Sequence, residues 1–174
     1  MTYALDLCSS FLKNVRPLDF LKEDAFIVYV NDIKVSLPLA IAAGLSTNVS
    51  KLLHKDSTAR EYDVKVDFHN KSNTETIANI LKSSASTVEV TLGSDNDIVD
   101  FAEFGIAFGN SEFVKPLETI AEKRMKEGLS VENTLEVIKY KDALSHVEGR
   151  KIDFTEEVKF IAQHFSSGFY CVAE

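Results

Sequence analysis

Apolar residues recur with a helical period at the start of the chain. Ala4, Leu7, Cys8, Phe11, Leu12 and Val15 form one stripe, and Asp6, Ser9, Ser10 and Lys13 fall off it. The spacing predicts an amphipathic helix over 2–15, capped by Thr2 and ended before Pro17. The period then changes. Ala25–Val30 is a β-branched and aromatic run, and Ile33, Val35 and Leu37 alternate with Lys34 and Ser36 across an Asn31-Asp32 link, which predicts a hairpin. Pro38 suits the first turn of a short apolar helix that ends at Gly44, and Ser46 is placed to cap a second helix with Val49, Leu52 and Leu53 inward.

Glu61–Phe68 alternates strictly, with Tyr62, Val64, Val66 and Phe68 on one face and Asp63, Lys65 and Asp67 on the other: a strand with one wet side. A helix capped by Asn73 or Thr74 follows, with Ile77, Ile80 and Leu81 inward, and then a short strand over Thr87–Leu92. From Asp95 onward the pattern is helical. Phe101–Leu117 reads as two helices joined by a Gly109-Asn110 turn, and Gly128 followed by Ser130 marks a boundary before further helices. The expected order is β-β-α-α-β-α-β-α-α and then more helices, an α+β domain.

Composition narrows the function classes. Hydrophobic residues make up 45% of the 174, enough for a core, and with Trp absent the 12 Phe carry the aromatic packing. No run approaches the roughly 20 apolar residues of a membrane span. The N-terminus lacks a basic leader, so no secretory signal is expected. The net charge of −8 is spread along the chain without a basic block, which argues against nucleic acid and anionic membrane as partners. Cys8 and Cys171 do not make a disulfide framework, so both are expected as reduced thiols in a cytoplasmic or nuclear setting.

Candidate chemistry is sparse. His54, His69, His146 and His164 are scattered without a second ligand at metal spacing, and no metal or cofactor is expected. His164 reads as a partly buried structural histidine beside Phe160, Ile161 and Phe165. Asp95, Asp97 and Asp100 fit helix capping better than a calcium loop, which needs a central Gly and a terminal Glu. Cys8 on the apolar stripe reads as a small hydrophobe. Nucleophile elbows, phosphate loops and zinc-protease motifs are absent, so an enzyme is not expected.

Residues 24–165 resemble a BTB/POZ domain followed by the start of a BACK-type helical region. The resemblance rests on Asp24-Ala25-Phe26-Ile27-Val28, on Ala40–Ser46 with Val49, Leu52 and Leu53 after it, and on the paired helices of Phe101–Leu117. Glu132-Asn133-Thr134-Leu135-Glu136-Val137-Ile138 and Val158–Phe165 complete it. It implies a small mixed sheet of about three main strands plus one short one, flanked by helices. The implied divisions are an N-terminal helix and connector (1–24), a BTB/POZ-like domain (25–126) and a BACK-like extension (127–174). It further implies a non-enzymatic scaffold or adaptor that forms a homodimer, with Ala4, Leu7, Cys8, Phe11, Leu12 and Val15 as the interface. The bland alternative is that this stripe packs on its own domain.

A narrower implication is a substrate adaptor that joins a cullin-type scaffold in a ubiquitin ligase complex, with His54, Phe68, His69 and Asn70 as the partner-binding loop. Here the chain departs from the family. Pro38 and Val35 replace the usual histidine and phenylalanine, and Phe68-His69-Asn70 lacks the glutamate of the cullin-recruiting motif. Family members continue into substrate-binding repeats, so the chain is also expected to be the N-terminal part of a longer protein.

Overall fold

The computed structural model describes residues 1–7, 25–83, 87–147 and 151–166. The chain divides into two compact units, Met1–Pro116 and Leu117–Glu174. Gly128, the boundary marked by the sequence, lies inside the second of them.

The first unit contains β1 (Thr2–Asp6), β2 (Ala25–Val30), β3 (Ile33–Pro38), α1 (Leu39–Leu45), α2 (Thr47–Lys55), β4 (Glu61–Val64), α3 (Ser72–Lys82), β5 (Thr87–Thr91) and α4 (Asp95–Phe108). A 3₁₀ turn at Ser111–Phe113 follows, and α5 (Lys115–Glu127) begins at its end. The strands form two small sheets. One has the order β3-β2-β4, with β2 antiparallel to β3 and parallel to β4; the other is the antiparallel pair β1-β5. The molecule is therefore mixed α+β, largely helical, with few strands.

The hairpin forms where the alternation predicts it. Phe26, Val28, Val30 and Val35 are fully buried, and Asn31 adopts φ 51°, the left-handed conformation that asparagine tolerates in a tight turn. Asn31 has a second role. Its side-chain amide donates to Val66 O at 3.1 Å, and its Oδ1 accepts from Val66 N at 3.0 Å. The side chain thus mimics one more rung between β2 and β4. This explains why β4 ends at Val64, short of the Phe68 expected from its pattern: β2 has already turned away, and Asn31 takes the place of its backbone.

The N-terminal helix is overturned over its first residues. Thr2–Asp6 is a strand, paired with β5 from Thr2↔Thr91 to Asp6↔Thr87. Ala4, counted on the helical stripe, is exposed, whereas Leu5, left off it, is buried. Over so few residues a period of 3.6 and a period of 2 share members, and the strand pairing offered by β5 decides between them. Tyr3, Leu5 and Leu7 are the inward positions. Cys8, Phe11, Leu12 and Val15 lie outside the described residues.

The core of this unit is aromatic. Phe101, Phe104, Phe108 and Phe113 are all 0% exposed. Phe104 stacks on Phe108 with centroids 5.3 Å apart and meets Phe113 edge-on at 5.0 Å. A glycine makes this packing possible: a Cβ on Gly105 would stand 2.7 Å from Phe113 Cβ and 2.9 Å from Asn110 O.

In the second unit, α5 is followed by α6 (Thr134–Ser145) and α7 (Thr155–Ser166). Lys141 on α6 donates to Asp153 O at 2.9 Å and pairs with the buried Glu157 of α7 at 2.6 Å. Arg124 reaches Glu127 at 3.2 Å and Glu136 at 3.6 Å. Val131, Leu135 and Val158 remain exposed. His164 is exposed too, not partly buried as its neighbours suggest; its ring stacks on Phe160 at 4.0 Å on the outside of α7.

Candidate functional site

The loop Phe68-His69-Asn70 leads from β4 into α3 and is held by two acids of α4. Phe68 is 8% exposed and serves as an apolar anchor. Beyond it, Asp100, fully buried, accepts from His69 N at 2.9 Å, from His69 Nδ1 at 2.7 Å, from Asn70 N at 2.9 Å and from Asn73 Nδ2 at 2.9 Å. A carboxylate only accepts, so the imidazole proton on this side sits on Nδ1. Asp97 accepts from the side-chain amides of Asn70 at 3.1 Å and Asn73 at 3.0 Å, and from the main chain of Gly93 at 3.1 Å and Ser94 at 2.9 Å.

Two buried carboxylates one helical turn apart would repel, and each is surrounded by donors instead. Burial raises the Asp97 pKa; the hydrogen bonds from Asn73, Asn70 and Ser94 outweigh that and hold it below its ordinary value. Ser94 and Asp97 also form the capping box that starts α4. The acids read as helix caps in the sequence, and Asp97 is one. Asp100 instead ties down the loop, and Asn73, expected as a cap, lies in the first turn of α3 and bridges both acids. Nothing local in the sequence marks Asn73 or Asp100 as partners, since they are 27 residues apart.

His54 is not brought to this loop by any described contact. It sits exposed near the end of α2, with Nδ1 3.2 Å from Ser50 O in its own helix. Of the expected dimer residues, Ala4 is exposed on β1 and Leu7 is 3% exposed at its end. Leu7 is thus already covered by its own chain.

Leu7 and Asp6 line a cleft of about 590 Å³ that the sequence does not announce. Its other walls come from the α1–α2 junction at Gly44, Leu45 and Lys51 and from the end of α4 at Gly109, Asn110 and Glu112. Asp6 N donates to Glu112 Oε2 at 3.2 Å, and Glu112 pairs with Lys115. Asparagine and hydroxyl side chains join the two walls. Ser46 Oγ accepts from Val49 N at 3.0 Å and donates to Phe108 O. Asn48 Nδ2 donates to Ala107 O at 3.0 Å, and Asn110 Nδ2 donates to Leu45 O at 2.9 Å. These side chains end helices by bonding a different element, so a residue-by-residue capping pattern does not reveal them.

Gly109 closes α4 at φ 79°, where a Cβ would stand 2.5 Å from Thr47 Oγ1 and 2.9 Å from Asn48 N. Gly128 has nearly the same φ, 80°, with open space around it. Gly128→Ala is expected to lose about 1 kcal/mol, the cost of the left-handed backbone alone. Gly109→Ala adds steric overlap with a backbone atom and is expected to lose about 3 kcal/mol. Urea unfolding of both variants measures the difference; equal losses would show that the α2–α4 approach is not tight.

Among the described residues no group of three His, Cys, Asp or Glu is arranged to hold a metal ion, and no helix is long and apolar enough to cross a membrane. The polar clusters anchor the His69-Asn70 loop and the α1–α2 junction on α4. No family model, no curated protein and no solved structure matches the chain.

Proposed function

We propose that this chain is a non-enzymatic protein-interaction module of the BTB/POZ kind, a scaffold or adaptor that self-associates through its N-terminal segment. The observation that carries the reading is the element order from Ala25 onward: hairpin, two short helices, a strand parallel to the first, a helix, a short strand, then helices. That order is the one the resemblance implies, and a cytoplasmic or nuclear setting belongs to the same reading. The polar groups of the unit also favour it, because the acids that looked most like chemistry serve as anchors for Phe68–Asn70. The narrower cullin-adaptor reading rests on the same loop, where His69 and Asn70 stay exposed while Asp97 and Asp100 hold their main-chain N–H groups, His69 Nδ1 and Asn70 Nδ2.

Sedimentation velocity at about 10 µM tests the self-association. The expected particle is a dimer of the 19.4 kDa chain, and Phe11→Asp combined with Leu12→Asp is expected to return it to monomer. Leu7 is left out of the test because its removal would disturb the chain's own packing. A wild-type chain that sediments as monomer throughout would overturn the reading.

A further inference from the structure

The free edge of β5 has the geometry of a peptide-binding site. Its hydrogen-bonding direction follows from one pair at the end of the ribbon. Met1 N donates to Leu92 O at 2.7 Å, and Leu92 N donates to Met1 O at 2.9 Å, so Met1 and Leu92 exchange both bonds. An antiparallel ladder alternates, so Val90 and Val88 also bond toward β1, while the N–H and C=O of Thr87, Glu89 and Thr91 point the other way. The 3.2 Å approach of Thr2 Oγ1 to Thr91 Oγ1 fits, because side chains come closest at non-bonded pairs.

Among the described residues neither edge of this ribbon carries a further strand. On the β1 side, Asp6 N is taken by Glu112. On the β5 side, the main-chain groups of Glu89 and Thr91 that face outward bond to none of the described residues. Alongside this edge runs a groove of about 350 Å³, walled by Thr76, Asn79 and Ile80 of α3 and by Val88, Glu89 and Thr91 of β5. A strand laid 4.8 Å or so from β5 would find main-chain partners on one side and Ile80 and Val88 for its alternate side chains.

We propose that this groove binds an extended peptide segment of a partner protein by strand addition, with a lysine or arginine of that segment opposite Glu89. Charge selects the occupant. Glu89 is the one charged residue among those that wall the groove, and it sits in the middle of the edge. A second copy could pair all three outward residues only in the register that places Glu89 against Glu89, and like charges directly opposite are destabilising. The chain is also acidic overall, which favours a basic segment over an acidic one as the occupant. Glu89 thus blocks edge-to-edge self-pairing and reads a cation on the partner. The proposal deepens the interaction-module reading at a surface separate from the N-terminal segment, so sedimentation and the titration below can fail independently.

The test is an NMR titration of the ¹⁵N-labelled full chain with two blocked peptides, Thr-Val-Lys-Val-Thr and Thr-Val-Glu-Val-Thr, up to about 1 mM. Amide shifts are expected at Glu89 and Thr91 and along α3 at Thr76, Asn79 and Ile80. The lysine peptide is expected to bind about three- to tenfold more tightly, and Glu89→Lys is expected to invert the preference. Amide exchange at Glu89 and Thr91 is expected to slow on saturation. Glu89→Gln, which keeps the shape, is expected to remove the discrimination and leave weak binding. Absence of saturable shifts, shifts confined to other surfaces, a preference unchanged in Glu89→Lys, or a dimer joined through β5 would each overturn the proposal.

Discussion

Phe104→Ala is expected to lower the unfolding free energy by about 4 kcal/mol. The ring is fully buried and has two aromatic neighbours, stacked on Phe108 at 5.3 Å and edge-on to Phe113 at 5.0 Å. Truncation removes the transfer energy of the ring, leaves a cavity and breaks two aromatic pairs worth about 1 kcal/mol each. The walls cannot collapse easily, because Phe113 is pressed against Gly105 and Phe101 is itself packed on Phe113 at 6.1 Å. Phe104→Leu keeps most of the volume and is expected to lose about 1.5 kcal/mol. Equilibrium urea unfolding followed by circular dichroism measures both. A loss under about 1.5 kcal/mol for alanine would mean that the four-Phe cluster does not form the core of this unit.

The second large effect is expected at Asp100. Asp100→Ala removes one carboxylate and strands three donors, His69 N, His69 Nδ1 and Asn70 N, while Asn73 Nδ2 loses one of its two bonds and keeps the one to Asp97. Each orphaned donor costs about 1 kcal/mol where water can partly reach it and more where it cannot, so a total of about 3 kcal/mol is expected. The loop at His69-Asn70 should lose its amide exchange protection while the β2–β3 hairpin keeps its own. A variant that is as stable as the parent with the loop still protected would show that the clamp is ornamental.

The neighbouring Asp97 gives this site an acid limit. Its folded pKa lies below the ordinary 3.8, so the folded state binds its proton less readily than the unfolded chain does. The stability it contributes is complete above the unfolded value and is lost as the pH falls through the lower folded value. The unit is therefore expected to weaken as pH drops below about 4, and Asp97→Asn, already less stable at neutral pH, should weaken less steeply there.

Particular elements show what was legible in advance. The hairpin over Ala25–Leu37, the helix pair that follows and the burial of Ile77, Ile80 and Leu81 all follow from periods and turn residues that operate over a few positions. Ser46 was readable as a cap because its bond to Val49 N is local. Its bond to Phe108 O was not, since that partner is 62 residues away. The candidate site divides in the same way. The alternation over Glu61–Phe68 put Phe68 on the apolar face, and it is buried although the strand ends at Val64, whereas the clamp that fixes His69 and Asn70 depends on α4 arriving beside α3.

The N-terminus shows the limit most clearly. Its apolar residues satisfy two periods at once over Thr2–Leu7, and the strand wins because β5 supplies the missing hydrogen-bond partners from about ninety residues away. By itself, the sequence determined the type and order of the elements from Ala25 onward and which faces turn inward, because propensity and amphipathicity act within each segment. The tertiary structure alone decided that Thr2–Asp6 is a strand, that Asp100 and Asn73 hold a loop, and that the outer edge of β5 meets none of the described residues. Each of these rests on a bond, or on the lack of one, between residues distant in sequence, and local pattern carries no record of such pairings.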